Sequence, residues 1–467
     1  DTKADVRGTF DLDAVKTTNL YDADGKLIKV QIKDSTFTVN GDYSIIAPAV
    51  AAETSKISAN NFKIVTANGA DYAAIGAKAP GEKQAVTYLK AVEVDGNVYI
   101  TNPEGALAIA NGGNVKGDLN VETKGDTYIN YHRGGDERLV VNGDANVKSH
   151  GEYAFFRNAD VKGNLTMSND NGFVDVGNID VAKNVNLTTT GVVDLSNPRF
   201  NHYIHVIGDS KVGGDMNIEA SQNIHIGGYD YDARQLADGK LTVSGDLNAH
   251  STDGHITTTI DTTAKNIRMT SDKLNILTDD KAVLTADTYE FKSAGYIGGI
   301  KDFTNADGTV LKKDDQIVKI MENYKFIPSD IESRAYTNIA GGELTKVETP
   351  TNAYILSKGD LLVTGANLKN LNLTAPQHKI TITGPNVVAQ NVNIGPETNY
   401  LKLDFPNRKF TTKYTNIKDG IITTIAPDEE ITYAITDGEN GYNQPTLTPD
   451  DQRTTYLIGP DAPVDPD

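Results

Sequence analysis

The chain of 467 residues has no cysteine and no tryptophan, and only 4 methionines and 16 prolines. Without cysteine no disulfide can staple the fold, so stability has to come from stacking and hydrogen bonds. The same absence suits export in an unfolded state, where a premature disulfide would block passage. No run of about 18 apolar residues occurs, so no membrane-spanning helix is expected. Helix-forming Leu/Glu/Ala runs are scarce. Positive charge is in deficit, with 44 Lys and Arg against 63 Asp and Glu, a formal net charge of −19. That balance argues against a nucleic-acid backbone or an anionic membrane surface as the main partner, and it fits a soluble protein that resists self-association. No signal peptide is visible and the sequence opens on Asp1-Thr2-Lys3, so a processed or truncated chain is expected.

What the sequence does have is a returning phrase. It reads VKGDLNV at Val115–Val121, VNGDANV at Val141–Val147, VKGNLTM at Val161–Met167 and VAKNVNL at Val181–Leu187. It continues as VGGDMNI at Val212–Ile218, VSGDLNA at Val243–Ala249 and TAKNIRM at Thr263–Met269. An Asp or Asn anchors each copy: Asp118, Asp144, Asn164, Asn184, Asp215, Asp246 and Asn266. The steps between successive anchors are 26, 20, 20, 31, 31 and 20 residues. A unit near 20 residues with occasional longer steps is the signature of a solenoid whose insertions emerge as loops. A second apolar run follows each anchor, at Thr127–Tyr131, Tyr153–Phe156, Phe173–Val176, Val192–Leu195, Asn223–Ile226, His255–Thr258 and Leu274–Leu277. Two strands per coil, with room for a third, predict an all-β fold, a right-handed parallel β-helix with extra-helical hairpins. Alternation places Val115, Leu119, Val121, Val161, Leu165 and Met167 inward. Gly117, Gly143, Gly163, Gly214 and Gly245 are expected to permit a sharp corner before the anchor.

The texture divides the chain into 1–113, β-rich; 114–285, coils; 286–345, an inserted subdomain; 346–440, further coils; and 441–467, a Pro/Asp-rich linker or cap. In the first region Asp24-Gly25 and the alternating Leu27, Ile28, Val30 and Ile32 predict a hairpin. Asp22-Ala23-Asp24-Gly25 lacks the other ligands of a calcium loop, so a turn is the preferred reading. In the insertion, Ile317, Ile320, Met321 and Tyr324 fall at helical spacing and predict a short amphipathic helix over Asp314–Tyr324, making a small α/β element. Asn305–Gly308 predicts a second turn.

The order YSIIAPAV (Tyr43–Val50), KISANNFKIVTANGADY (Lys56–Tyr72) and NVYITNPEGALAIANGGNVKGDL (Asn97–Leu119) resembles the later part of the secretion domain of filamentous haemagglutinin-like two-partner-secretion exoproteins. The coils after Asn114 resemble the repeats that follow it, and the likeness covers residues 37–285. Asn102-Pro103-Glu104-Gly105 is similar to the Asn-Pro-Asn-Gly signature of that family but departs from it at Glu104. The resemblance implies an exported adhesin or exoprotein shaft on the surface of a Gram-negative-type bacterium. It also implies an outer-membrane two-partner-secretion transporter, and a host or neighbouring-cell receptor or glycan, as partners. A toxin-delivery stalk would have the same shaft.

Candidate chemistry is sparse. The anchor column suggests stacked Asn ladders, with Asp-on-Asp steps needing water, a cation or wider spacing; turn polarity is the preferred reading over a cation row. The histidines His132, His150, His202, His205, His225, His250, His255 and His378 are scattered and lack an HExxH pair, so no metal and no cofactor is expected. A β-helical polysaccharide lyase or glycoside hydrolase would need a carboxylate pair in a groove; no GxSxG, Walker or dinucleotide motif is present, and no catalysis is expected. Binding is expected on the longer coils, at Arg133, Arg138 and the aromatic stretch Tyr229, Asp230 and Tyr231. Asn164, Asn186 and Asn372 head Asn-x-Thr sequons and are possible glycosylation sites, although chance is the preferred reading in so Asn/Thr-rich a chain.

Overall fold

The computed structural model describes residues 3–13, 16–18, 29–66, 85–102, 105–131, 137–191, 203–227, 229–230, 235–236, 238–279, 282–298, 303–304, 310–311, 336–383, 386–395, 398–405, 413–418, 421–425 and 454–458. Among them there is no α-helix; the secondary structure is strand throughout. The chain forms a parallel β-helix that divides into two units, Asp1–Gln222 with Asp238–Thr242, and Asn223–Ala237 with Val243–Asp467.

In the first unit each coil contributes strands to three faces. The first face holds the strands that follow the anchor: Leu119–Thr123, Ala145–Ser149, Leu165–Asn169, Val185–Thr189 and Met216–Ala220, paired in parallel. It begins before Val115, with the phrase already present as VNGDYSI at Val39–Ile45 and VDGNVYI at Val94–Ile100. Tyr43–Ala47, Asn61–Thr66 and Asn97–Asn102 precede Leu119–Thr123 in the same parallel series. The second face carries Val50–Glu53, Thr127–Ile129 and Ile204–Ile207, and the third carries Lys56–Ser58, Leu139–Val141 and Ser210–Val212. In other coils one strand bends to serve both, as in Tyr153–Val161 and Phe173–Val181.

Alternation fills the interior. Leu119, Ala145, Leu165, Val185 and Met216 form one fully buried column, and Val121, Val147, Met167, Leu187 and Ile218 another. Side chains of one coil cover those of the next, so each buried Leu, Val or Met gains about 1.5–3 kcal/mol that an isolated coil would not have. At the start of the stack the filling is aromatic: Phe37, Tyr43 and Phe62 stack with ring centroids 5.4 and 5.6 Å apart. Where the first face turns into the second, a buried polar column closes the core. Thr123 Oγ1 donates to the Gly125 carbonyl at 2.8 Å, and Asn169 Nδ2 donates to those of Gly151 and Phe173 at 3.1 and 3.0 Å. These groups satisfy carbonyls that the corner removes from the sheets.

The second unit repeats the plan. Leu247–Ser251, Asn266–Ser271, Thr288–Ser293 and Gly342–Glu348 pair in parallel as its first face. Thr288–Ser293 and the first part of Gly342–Glu348 are thus coil strands inside the stretch 286–345 read as an insertion, which leaves 299–335 between coils. Of that segment Phe303–Thr304 and Val310–Leu311 form an antiparallel ribbon flanking Asn305–Gly308; the expected helix at 314–324 lies outside the described residues. The unit ends by reversing direction. Thr454–Ile458 pairs antiparallel with Tyr400–Phe405, and Ile421–Ile425 with Lys413–Lys418. A returning strand from the Pro/Asp-rich tail covers an open sheet edge, which is the task of a cap.

Three expectations change. Lys29–Asn40 is a strand, but its partners Lys3–Asp13, Val50–Glu53 and Lys56–Ser58 are all parallel; its alternation belongs to a coil, and the Asp22–Gly25 turn lies outside the described residues. The second-face strand after Asn184 is Ile204–Ile207, paired with Val174–Gly177. Val192–Leu195, which falls outside the described residues, has the same apolar pattern, and pattern alone could not choose between them. The glycines before the anchors are not bent into the left-handed region. They are required for a different reason, given next.

Candidate functional site

Two columns of polar residues fix the corners. At the corner between third and first faces, the side-chain oxygen of four successive anchors accepts the backbone N–H of the next. Asp118 Oδ1 takes Asp144 N–H at 2.8 Å, Asp144 takes Asn164 at 2.7 Å, Asn164 takes Asn184 at 3.2 Å, and Asn184 takes Asp215 at 2.9 Å. Only an acceptor is needed, so Asp and Asn alternate freely and no carboxylate has to face another. A Cβ on Gly143 would stand 2.0 Å from Asp118 Oδ1, and one on Gly163 2.1 Å from Asp144 Oδ1. Glycine is there to make room for the oxygen. Lys183 and Lys265 stand in its place before Asn184 and Asn266, and of the four bonds given the one at the Lys183 step is the longest.

The corner between second and third faces has its own column, in left-handed backbone: Asp34, Thr54, Ala91, Asn111, Asn130, Asn158 and Asn178, with φ from 48° to 52°, then Gly208 at 63°. Asn tolerates this region because its short amide bonds locally. Asn158 Nδ2 donates to the Asn130 carbonyl at 3.2 Å, Asn178 Nδ2 to Asn158 Oδ1 at 3.2 Å, and Asn178 Oδ1 accepts Asp209 N–H at 3.1 Å. Side-chain amides therefore link coils at this corner, and in the anchor column they add to the backbone donors at Asn164, whose Nδ2 meets Asp144 Oδ1 at 3.1 Å, and at Asn266, whose Nδ2 meets Asp246 Oδ1 at 2.7 Å.

The faces differ in what they show to the outside. First-face strands alternate buried and accessible residues, but second-face strands are buried on both sides, as at Thr127–Ile129 and Phe173–Gly177. In the first unit no connection from third to first face after Lys29–Asn40 exceeds three residues. The long connections, after Asn61–Thr66, Thr127–Ile129 and Val185–Thr189, all lead into or out of the second face. The insertions are thus sorted to its two margins.

On this covered face the outward row runs Tyr88, Ala108, Tyr128, Phe155, Asp175 and His205 in register. Its rings stack: Tyr128 on Phe155 at 5.5 Å, and Phe173, beside the row, on Tyr203 at 4.7 Å. Arg157 clamps Asp175 through Nε and Nη2, both at 2.7 Å, and lies 4.7 Å from the Tyr131 ring centre. His205 Nδ1 is 3.5 Å from Asp175 Oδ2, and the Asp175 side chain is only 3% exposed. Burial pushes the Asp175 carboxyl up, but Arg157 and His205 together outweigh it and hold it down to about 2. Burial, with Asp126 nearby, pushes the Tyr128 phenol far up. The cluster fastens the flanks of two insertions: Tyr131 precedes one, and Tyr203 and His205 follow the other.

The residues singled out from the sequence are not brought together. Arg138 is tied to Asp160 Oδ1 at 2.9 Å through Nε and to the Ala159 carbonyl at 2.8 Å. It straps the third face. Tyr229–Asp230 pairs antiparallel with Gln235–Leu236 as an extra-helical hairpin; the side chains there, and Arg133, Tyr231, His132 and His202, lie outside the described residues. The remaining histidines are separate. His150 faces Asp170 at 2.7 Å, His250 faces Asp272 at 2.8 Å, His225 meets Thr257 Oγ1 at 2.7 Å, and His378 lies 3.6 Å from Asp360. His255 is buried, and burial pushes its pKa down to about 3. Among the described residues no three His, Cys, Asp or Glu side chains converge as a metal site would require. The sequon amides are engaged across coils: Asn164 Nδ2 with Asp144 Oδ1 at 3.1 Å, Asn186 Oδ1 with Asn217 at 3.0 Å, and Asn372 Nδ2 with the Ala353 carbonyl at 3.0 Å. Reading the sequence missed Arg157 and Asp175, which carry no motif and meet only through coil register.

Comparison with protein-family models, with curated proteins and with solved structures finds no match for this chain.

Proposed function

We propose that this chain is a shaft segment of an exported surface exoprotein of the filamentous haemagglutinin-like kind. It mediates attachment or presents a distal effector, and it performs no catalysis. The observation that carries this reading is the sorting of the coil: an uninterrupted anchor corner sets the rise, while insertions gather at the margins of one face. That is the arrangement of a spacer that displays variable segments along its length. Disulfide-free coils that template one another also suit passage through a two-partner-secretion transporter and folding outside. Recognition of a receptor or glycan on another cell is assigned to the insertions, the Tyr229–Asp230 hairpin among them. A toxin-delivery stalk would use the same shaft. The lyase or hydrolase alternative draws little from the Asp175 cluster, where one carboxylate is clamped by Arg157, faces His205 and is not paired with a second acid.

Surface exposure is the test. Protease added to intact cells that make the protein should degrade it, and a gene for an outer-membrane two-partner-secretion transporter should lie beside its own. Protection until lysis, or a neighbourhood of sugar-utilisation genes, overturns the reading.

A further inference from the structure

We propose that the outer surface of the first face, from Tyr99 to Ser168, is a binding site for a neutral linear glycan lying along the stack. The inference rests on the coil geometry alone, so its failure leaves the reading as a surface shaft intact. A shallow groove of about 320 Å³ crosses four coils there, lined by Tyr99, Asn120, Glu122, Asn146, Lys148 and Thr166 among others. Tyr99, Asn120, Asn146 and Thr166 form one column in register. Successive positions rise by about 4.8 Å, close to the advance per residue of an extended hexose chain.

The chemistry of the column is that of sugar recognition. Tyr99 is 37% exposed, and among the described residues only Val388 is another large apolar side chain so exposed. An aromatic ring lying open at the end of a polar groove offers a platform for the C–H face of a pyranose. Asn146 Nδ2 donates to Asn120 Oδ1 at 3.0 Å. This orients both amides and leaves Asn120 Nδ2 and Asn146 Oδ1 for the donor–acceptor pairs of vicinal hydroxyls. Thr166 interrupts the amide ladder and adds a hydroxyl.

Charge argues for a neutral chain. The charged side chains of the lining pair with each other, Lys148 Nζ to Glu122 Oε1 at 3.0 Å, and that bond holds the Glu122 carboxyl below its usual range. A uronate or an amino sugar would have to break this pair to find a counter-ion. The other faces are less suitable. The second is covered, and on the third Arg138 lies across the neighbouring coil, bonded to both Asp160 and the Ala159 carbonyl.

The test is calorimetric titration of the full chain with cellohexaose, chitohexaose and maltohexaose, and with hexagalacturonate as the charged counterpart. At least one neutral hexamer should bind, and more tightly than hexagalacturonate. Its affinity should fall at least tenfold in Tyr99→Ala and in Asn146→Ala. It should persist in Tyr99→Phe and in Val388→Ala, all four variants keeping the parent melting temperature. The assignment is overturned if no neutral hexamer binds, if hexagalacturonate binds more tightly, or if binding survives both alanine variants. If an alanine variant melts early, Tyr99→Phe and the saturation-transfer signals of the sugar on the Tyr99 ring decide between contact and none.

Discussion

Asp118 reaches across one coil and accepts the backbone N–H of Asp144 at 2.8 Å, and the same oxygen occupies the space that a Cβ on Gly143 would need, 2.0 Å away. The bond and the glycine are one device. Asp118→Asn keeps the acceptor and should change stability little. Asp118→Ala should cost about 1–3 kcal/mol, because it leaves a backbone donor unsatisfied. Gly143→Ala should cost a similar amount by expelling the oxygen. Denaturant midpoints of the three variants check the order.

Thr54 holds a left-handed backbone, φ 48°, in the column that Asn111, Asn130, Asn158 and Asn178 occupy elsewhere. A β-branched residue there is strained by about 1–2 kcal/mol. Thr54→Gly should therefore raise the melting temperature, against the usual effect of glycine in a strand-rich fold, and Thr54→Asn should do so to a smaller degree. Asn178→Ala should lower it by removing the amide that meets Asn158 and Asp209.

Asp175 titrates at about 2 in the folded chain, below the ordinary carboxylate value near 4. A depressed carboxylate stabilises the fold above the unfolded value and loses that contribution as pH falls through the folded one. About 2 kcal/mol should disappear between roughly pH 4 and pH 2. Asp175→Asn should flatten this part of the pH–stability curve. Arg157→Ala should cost more, about 3–5 kcal/mol at neutral pH, since it strands a buried charge.

His255 acts in a different window. Buried, it stays neutral down to about pH 3, whereas the unfolded chain takes up the proton near pH 6.5. The unfolded state binds more protons between these values, so stability rises with pH across the window, by up to about 1.4 kcal/mol per unit. His255→Gln should remove that slope without touching the acid limb set by Asp175. Urea titrations at steps of about one pH unit from about pH 2 to about pH 7 separate the two.

The coil was legible because the repeated phrase carries both of its causes: Leu119 and Val121 point inward by alternation, and the anchor follows a glycine. The first strands before Asn114 carry the phrase less regularly: Gly41-Asp42 precedes Tyr43 and Gly96-Asn97 precedes Val98, but Asn60-Asn61 precedes Phe62 without a glycine and the long connection before Ala85 separates the copies. The asparagine ladder leaves a faint trace, Asn158 and Asn178 each standing six residues before their anchors. It is blurred where an insertion separates Asn130 from Asp144. Arg157, Asp175 and His205 could not be read at all. Their meeting depends on which residue of one coil lies above which of the next, and the insertion before Ile204 conceals that register.

The bond repeated from Asp118 to Asp215 at the anchor corner asks only for a peptide N–H, a group that almost every residue supplies. A coil inserted or removed in whole units presents the same donor to the same acceptor, and the neighbours on either side need no matching change. Length in this protein is therefore a quantity that gene duplication can adjust by itself, while the covered face, with its register-dependent clamp of Arg157 on Asp175, has to be inherited as a block.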